Sequence, residues 1–141
     1  MIVTFCGHKD VFDAETIKNR LISIIKQLII EGADTFYLGG YGMFDTLAAR
    51  VIHDLKPSFP DIRSLLIIPY INRNYDISLY DETLYPPLEN VPMKFAIKRR
   101  NEWMVDRSEI VVSYVLHGWG GAATTLAYAE RKKKRIIYIA E

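Results

Sequence analysis

The feature that most restricts what this chain can become is an alternation that runs through all of it. Short apolar or β-branched runs, most of them stopped by glycine or proline, take turns with longer segments of helical period. Residues 2–6 read as a buried strand that Gly7 ends. Asp13 then suits a helix N-cap, and Ile17, Leu21, Ile24, Ile25 and Leu28 share one face of a helix closed by Gly32. Residues 35–38 form a second strand ending in Gly39 and Gly40. The helix after it carries Leu47, Ala48, Val51, Ile52 and Leu55 on one face, with Pro57 beyond its end. A third strand over 64–68 stops at Pro69. A helix over 93–106, a strand over 109–115, a glycine-rich turn over 117–121, a helix over 122–132 and a strand over 135–139 complete the chain. Residues 70–92 show no period; they hold Tyr70, Tyr75, Tyr80, Tyr85 and a Pro86-Pro87 pair. A segment of that length reads as functional or mobile, with room for one short helix.

Strands that alternate with helices imply a parallel sheet covered on both faces and joined by right-handed crossovers. The expectation is an α/β fold: a three-layer, Rossmann-like single domain over residues 1–141 with a five-stranded parallel sheet in the order 3-2-1-4-5. Strands 1 and 4 then adjoin at the topological switch point, and ligands of such sheets sit in the crevice outside the strand carboxyl ends.

Composition narrows the function classes. A formal net charge of +1 provides no general electrostatic case for nucleic acid or an anionic membrane, so neither is expected as a partner. A single cysteine cannot close an internal disulfide, and the first residues meet Gly7 and charge too early for a signal peptide or a spanning helix. A cytoplasmic location is the expectation.

Three bends converge on the predicted ligand edge: Gly7-His8-Lys9-Asp10, Gly39-Gly40-Tyr41-Gly42 and Gly118-Trp119-Gly120-Gly121. Glycine lets backbone approach a ligand closely, and each following helix aims free N–H groups and the positive end of its dipole at the same crevice. One such bend is only a tight turn; three on one edge favour a phosphate or carboxylate site. Thr124 and Thr125 in the first turn of the last helix add two hydroxyls. No Walker A motif and no GxGxxG fingerprint is present, so neither ATP hydrolysis nor hydride transfer is indicated, and no cofactor is implied.

Arg100 is the most informative charge. It falls with Met93, Ile97 and Met104 on an otherwise apolar stripe, where a guanidinium needs an anion or several acceptors. Two readings stand side by side: contact with a ligand phosphate, or an internal salt bridge to Asp106 or Asp45. Asp45 reads either as an N-cap of the second helix or as an acceptor for a ribose hydroxyl. His8 and His117 can approach each other across strands 1 and 4, but no further metal ligand stands at suitable spacing, so no metal site is expected. Cys6 reads as a buried strand thiol. Trp119 and the tyrosines of 70–92 either stack on a base or cover apolar sheet surface.

The segments TFCGHKD, GGYGMFDTLAA, YPPLENVPMKFAIKRRNEWMVDRSEIVVSYV and GWGGAATTLAYAERKKKRI together resemble the SLOG superfamily, the Rossmann-like group of the LOG-type phosphoribohydrolases and the DNA-processing protein A fold, and within it an uncharacterised bacterial or phage branch. The resemblance implies a ligand site built from Gly7, His8, Gly39, Gly40, Asp45, Arg100, Gly118, Gly120, Gly121, Thr124 and Thr125, and a homodimer. In the enzymatic branch an arginine four residues before a methionine matches Arg100 and Met104, but the PGGxGTxxE glutamate falls on Ala127. Asp45 keeps its place in the GxxxGxD pattern while Met43 replaces the second glycine. With the glutamate missing, the resemblance implies binding or sensing of a nucleotide-derived ligand, a nucleoside phosphate or ADP-ribose-like molecule, rather than catalysis. Two alternatives stand beside it. One is an N-glycosidic hydrolase of LOG type, with Asp45 and Arg100 as catalytic candidates and Asp10 or Glu102 as substitute carboxylates. The other is a DNA-binding or scaffold module.

Overall fold

A computed structural model describes residues 1–140. Strands β1 (Ile2–Gly7), β2 (Thr35–Leu38), β3 (Arg63–Ile67), β4 (Glu82–Leu84), β5 (Ile110–Tyr114) and β6 (Arg135–Tyr138) alternate with helices α1 (Ala14–Ile30), α2 (Met43–Leu55), α3 (Ala96–Arg107) and α4 (Gly121–Arg131). The sheet is parallel throughout, in the order β4-β3-β2-β1-β5-β6. It is the expected order with one strand added at the outer edge.

That sixth strand corrects the five-stranded expectation. Three residues are too few to show a period, and polar contacts fix β4 in place. Asp81 accepts from Ser64 N at 2.8 Å through its carboxylate and donates its own N–H to Ser64 O at 3.0 Å. Lys56 pairs with the same carboxylate, and Arg63 with Glu82 at 3.3 Å. A short, charged edge strand also discourages pairing with another sheet.

Side-chain alternation divides the core. Val3 and Phe5 of β1, Phe36 and Leu38 of β2, and Ile110, Val112 and Tyr114 of β5 face α1 and α2, with Leu21, Ile25, Leu28, Phe44, Ala48, Val51 and Ile52 buried against them. Cys6 and Val111 face Val105 of α3 and Ala129 of α4, while Tyr37, Leu65 and Ile67 face Met104. Asp13 caps α1, accepting from Thr16 N at 3.4 Å and Thr16 Oγ1 at 2.8 Å.

Helix α3 departs from the expected stripe. A 3-10 turn over Met93–Phe95 precedes it, so the helix proper starts at Ala96 and turns Ala96, Arg100 and Met104 inward. Met93 and Ile97 are exposed. The segment 70–92 holds β4 and no α-helix. Among the described residues no helix is long and apolar enough to cross a membrane.

Candidate functional site

The switch point lies between β1 and β5, where Cys6 pairs with Ser113 and Gly7 with Tyr114. The bends after β1, β2 and β5 leave the sheet at this carboxyl edge. The first of them binds the other two together. Lys9 O accepts from Met43 N at 2.8 Å, and the bare Cα of Gly42, at φ +91°, lies against the Lys9 backbone. On the other side His8 Nε2 accepts from Leu116 N at 2.8 Å. Gly7 is packed so closely under Phe44 that a side chain there would overlap its ring.

Around β2 the charged residues collect. Arg100 is 4% exposed, and it is committed to the protein. Nη1 donates to Ile67 O at 2.8 Å and Gly39 O at 3.1 Å, and Nε to Asn101 Oδ1 at 2.8 Å. The guanidinium thereby ties together the carboxyl ends of β2 and β3. Of the two sequence readings for its partner, Asp106 is excluded because that carboxylate engages Tyr128 and Lys132 at the far end of α3.

Asp45 is 7% exposed and lies in the first turn of α2, with Gly42 as the N-cap in place of the expected Asp45. The chain reaches the helix through Gly42 in the left-handed region, which leaves Asp45 free to fold back beneath the bend. Its Oδ2 accepts from Gly39 N at 3.2 Å, and Oδ1 is buried without a partner. Burial pushes the carboxyl up to about 6, against the opposing pull of the Arg100 guanidinium and the N–H groups of Gly39, Gly40 and Tyr41. Gly39 separates the two charges: a Cβ on it would stand 3.1 Å from Arg100 Nη2 and 3.3 Å from Asp45 Oδ2. Tyr80, half-buried, reaches Gly40 with its hydroxyl, and burial beside Asp45 pushes that phenol up to about 12. Sequence reasoning missed this residue; the even spacing of the four tyrosines was a signal too weak to single one out.

The third bend is of another kind. Gly118 and Gly121 have no left-handed torsion, and a Cβ on either would meet open space. Nothing within the chain requires glycine at these two positions. Gly120, at φ +95°, caps α4 without any side-chain hydrogen bond, so the first N–H groups of that helix have no side-chain acceptor. Thr124 and Thr125 lie just inside, each donating to a carbonyl of the same turn, Gly120 O at 3.0 Å and Gly121 O at 2.9 Å. Thr124 is exposed and Thr125 is buried.

His8 and His117 meet as the sequence allowed, but as stacked rings with centroids 4.1 Å apart, and His117 stacks in turn on Trp119 at 3.7 Å. The face-to-face arrangement does not aim their nitrogens at a common point, and no group of three or more potential metal ligands occurs among the described residues. Burial, with His117 alongside, holds the His8 imidazole below its usual range, in keeping with its role as acceptor for Leu116 N–H. The Cys6 thiol is buried in the sheet and burial drives it far up, which leaves it unreactive. A shallow hollow of about 400 Å³ along the outer face of α1, lined by Thr16, Asn19, Arg20, Ser23 and Ile24, lies apart from all three bends.

No protein-family profile matches the chain. It is 25% identical over 138 residues to the uncharacterised SPbeta prophage-derived protein YoqJ of Bacillus subtilis (strain 168), covering 82% of this chain and 81% of that protein. Among solved structures, DNA processing protein A of Helicobacter pylori, described for its single-stranded DNA binding mode, superposes with a TM-score of 0.70 at 16% identity, over 98% of this chain and 64% of that one. TM1055 superposes at 0.64 with 13% identity, over 96% of this chain and 71% of that one. DNA processing protein A of Streptococcus pneumoniae superposes at 0.66 with 17% identity, over 96% of this chain and 49% of that one. The chain therefore spans about two thirds of the first of these proteins and half of the last. Strand order and these superpositions together make the fold a Rossmann-like one, similar to that of DNA processing protein A.

Proposed function

We propose that this chain binds or senses a nucleotide-derived small ligand, a nucleoside phosphate or an ADP-ribose-like molecule, at the carboxyl edge of its sheet. One observation carries the reading: Gly118 and Gly121 flank the entrance to α4 with open space above them and no conformational need for glycine. A bare backbone ahead of uncapped helical N–H groups suits close approach by a phosphate. Thr124 borders that cradle, Gly7 and His8 form the wall across the switch point, and Gly39 and Gly40 close the third side. Asp45 and Arg100 set the potential beneath it. The missing LOG-type glutamate at Ala127 supports binding without turnover. A cytoplasmic setting, membership of an uncharacterised phage or bacterial SLOG branch, and self-association belong to the same reading.

The test uses the helix entrance rather than Arg100, whose loss disturbs the fold itself. AMP at about 100 times its Kd adds roughly 2.7 kcal/mol and raises Tm by several degrees. Gly121→Asp has room for its side chain, and a carboxylate in the first turn favours the helix dipole. The variant is expected to keep or raise the unliganded Tm and to lose the AMP-dependent rise. An undiminished shift in Gly121→Asp removes phosphate from this position.

A second reading, binding of single-stranded DNA, is favoured by the aromatic side chains Phe12, Tyr41 and Trp119, all exposed on loops at this edge. Exposed aromatics are stacking platforms for unpaired bases. The small net charge argues for a single nucleotide over a strand.

A further inference from the structure

We infer that the Trp119 indole, backed by His117 and His8, is a preformed platform for a nucleobase, so that the ligand is recognised through a planar heterocycle as well as through its phosphate. The inference rests on the phosphate-site reading above and adds the moiety that gives the ligand its identity.

Three rings form one column. His8 stacks on His117 with an interplanar angle of 21°, and His117 on Trp119 with 13°. The two histidines of the column are tied to backbone: Leu116 N–H donates to His8 Nε2 at 2.8 Å, and His117 Nδ1 donates to Trp119 O at 2.9 Å. These bonds fix the tautomers and hold the loop against the bend after β1. The indole at the outer end is nevertheless 72% exposed, with one face covered by His117 and no ring of the described residues against the other. A large apolar ring held in place yet left in water is a poor way to build a core and a good way to receive a flat partner. Its neighbours fit that use. Gly118 and Gly120 on either side carry no side chain to screen it, and nothing overlies Gly118. Consecutive Cα atoms are about 3.8 Å apart, so Trp119 lies within about 7.6 Å of Gly121 at the helix entrance. A ribose bridges a base and a phosphate over a comparable span. Pairing a stacking face with an anion cradle two residues away selects a nucleotide over a plain sugar phosphate.

Two tryptophans make the test direct, because Trp103→Phe leaves Trp119 as the sole indole. In that background AMP and ADP-ribose are expected to quench the emission, whereas ribose 5-phosphate binds without quenching. Trp119→Ala is expected to weaken AMP by about 5- to 150-fold, the range for loss of one stacked base, and to leave ribose 5-phosphate affinity and Tm unchanged. Trp119→Phe restores most of the AMP affinity. Equal AMP binding by wild type and Trp119→Ala, or an equal loss for ribose 5-phosphate, overturns the platform while the phosphate site stands. Failure of wild-type protein to bind any of the three probes overturns the phosphate site and the platform together.

Discussion

Asp45 is a residue whose burial works against stability. Its carboxyl is buried, one oxygen has no partner, and its pKa lies at about 6, above the ordinary value of 3.8. Folding therefore favours the protonated form. The group contributes most to stability below its unfolded value, and that contribution is lost as pH rises through about 6. At pH 7.5 an ionised, poorly paired carboxylate remains in the core. Asp45→Asn keeps an acceptor for Gly39 N–H and removes that charge. It is expected to raise stability at pH 7.5 by on the order of 1–2 kcal/mol and to gain little at pH 5. Urea unfolding at both pH values checks this. A loss at pH 7.5 shows instead that Arg100 depends on Asp45 as its counter-ion. Buried carboxylates with raised pKa values recur at functional sites, which is why a destabilising one is informative here.

At the scale of elements, α3 acts as a clamp. One guanidinium from its buried face holds the carbonyls that end β2 and β3, and so sets the height of the 39–42 bend above the sheet. Arg100→Ala leaves Gly39 O and Ile67 O without donors in a buried setting. The expected loss is about 2–4 kcal/mol, read as a lower denaturation midpoint. Arg100→Lys retains the charge but cannot span both carbonyls from one planar group, and should recover only part of it. An unchanged midpoint in Arg100→Ala means the bend is set by Gly39 and Asp45 alone. Helix α4 contrasts with it: that helix begins at a bend with no side-chain cap, and a Cβ on Gly118 or Gly121 there would meet open space.

For the whole molecule, the likeness to DNA processing protein A raises the question of strand binding that the charge argues against. Counter-ion release decides it. A single strand neutralised by about six cations gives a slope near −4 in a plot of log affinity against log salt. With +1 net charge, oligo(dT) binding is expected to be weak with a much shallower slope. A steep slope in fluorescence anisotropy transfers the edge aromatics from nucleotide recognition to strand binding.

Period and punctuation in the sequence determine most of the architecture. Apolar runs ending at Gly7, Gly39 and Pro69 mark strands, and the one-sided stripes of α1 and α2 mark what covers them. Local sequence suffices there because alternating burial is a one-dimensional signal. It also brought His8 toward His117, since both follow strands that meet at the switch point. Tertiary structure alone decided the rest. Strand β4 has no period of its own and exists through Asp81, Ser64 and Lys56, residues far apart in the chain. The phase of α3, the burial of Asp45 beneath a bend and the commitment of Arg100 to two carbonyls each depend on which backbone passes nearby. A residue's type states what it needs; only the folded chain states which partner supplies it, and at Asp45 Oδ1 no partner among the described residues does.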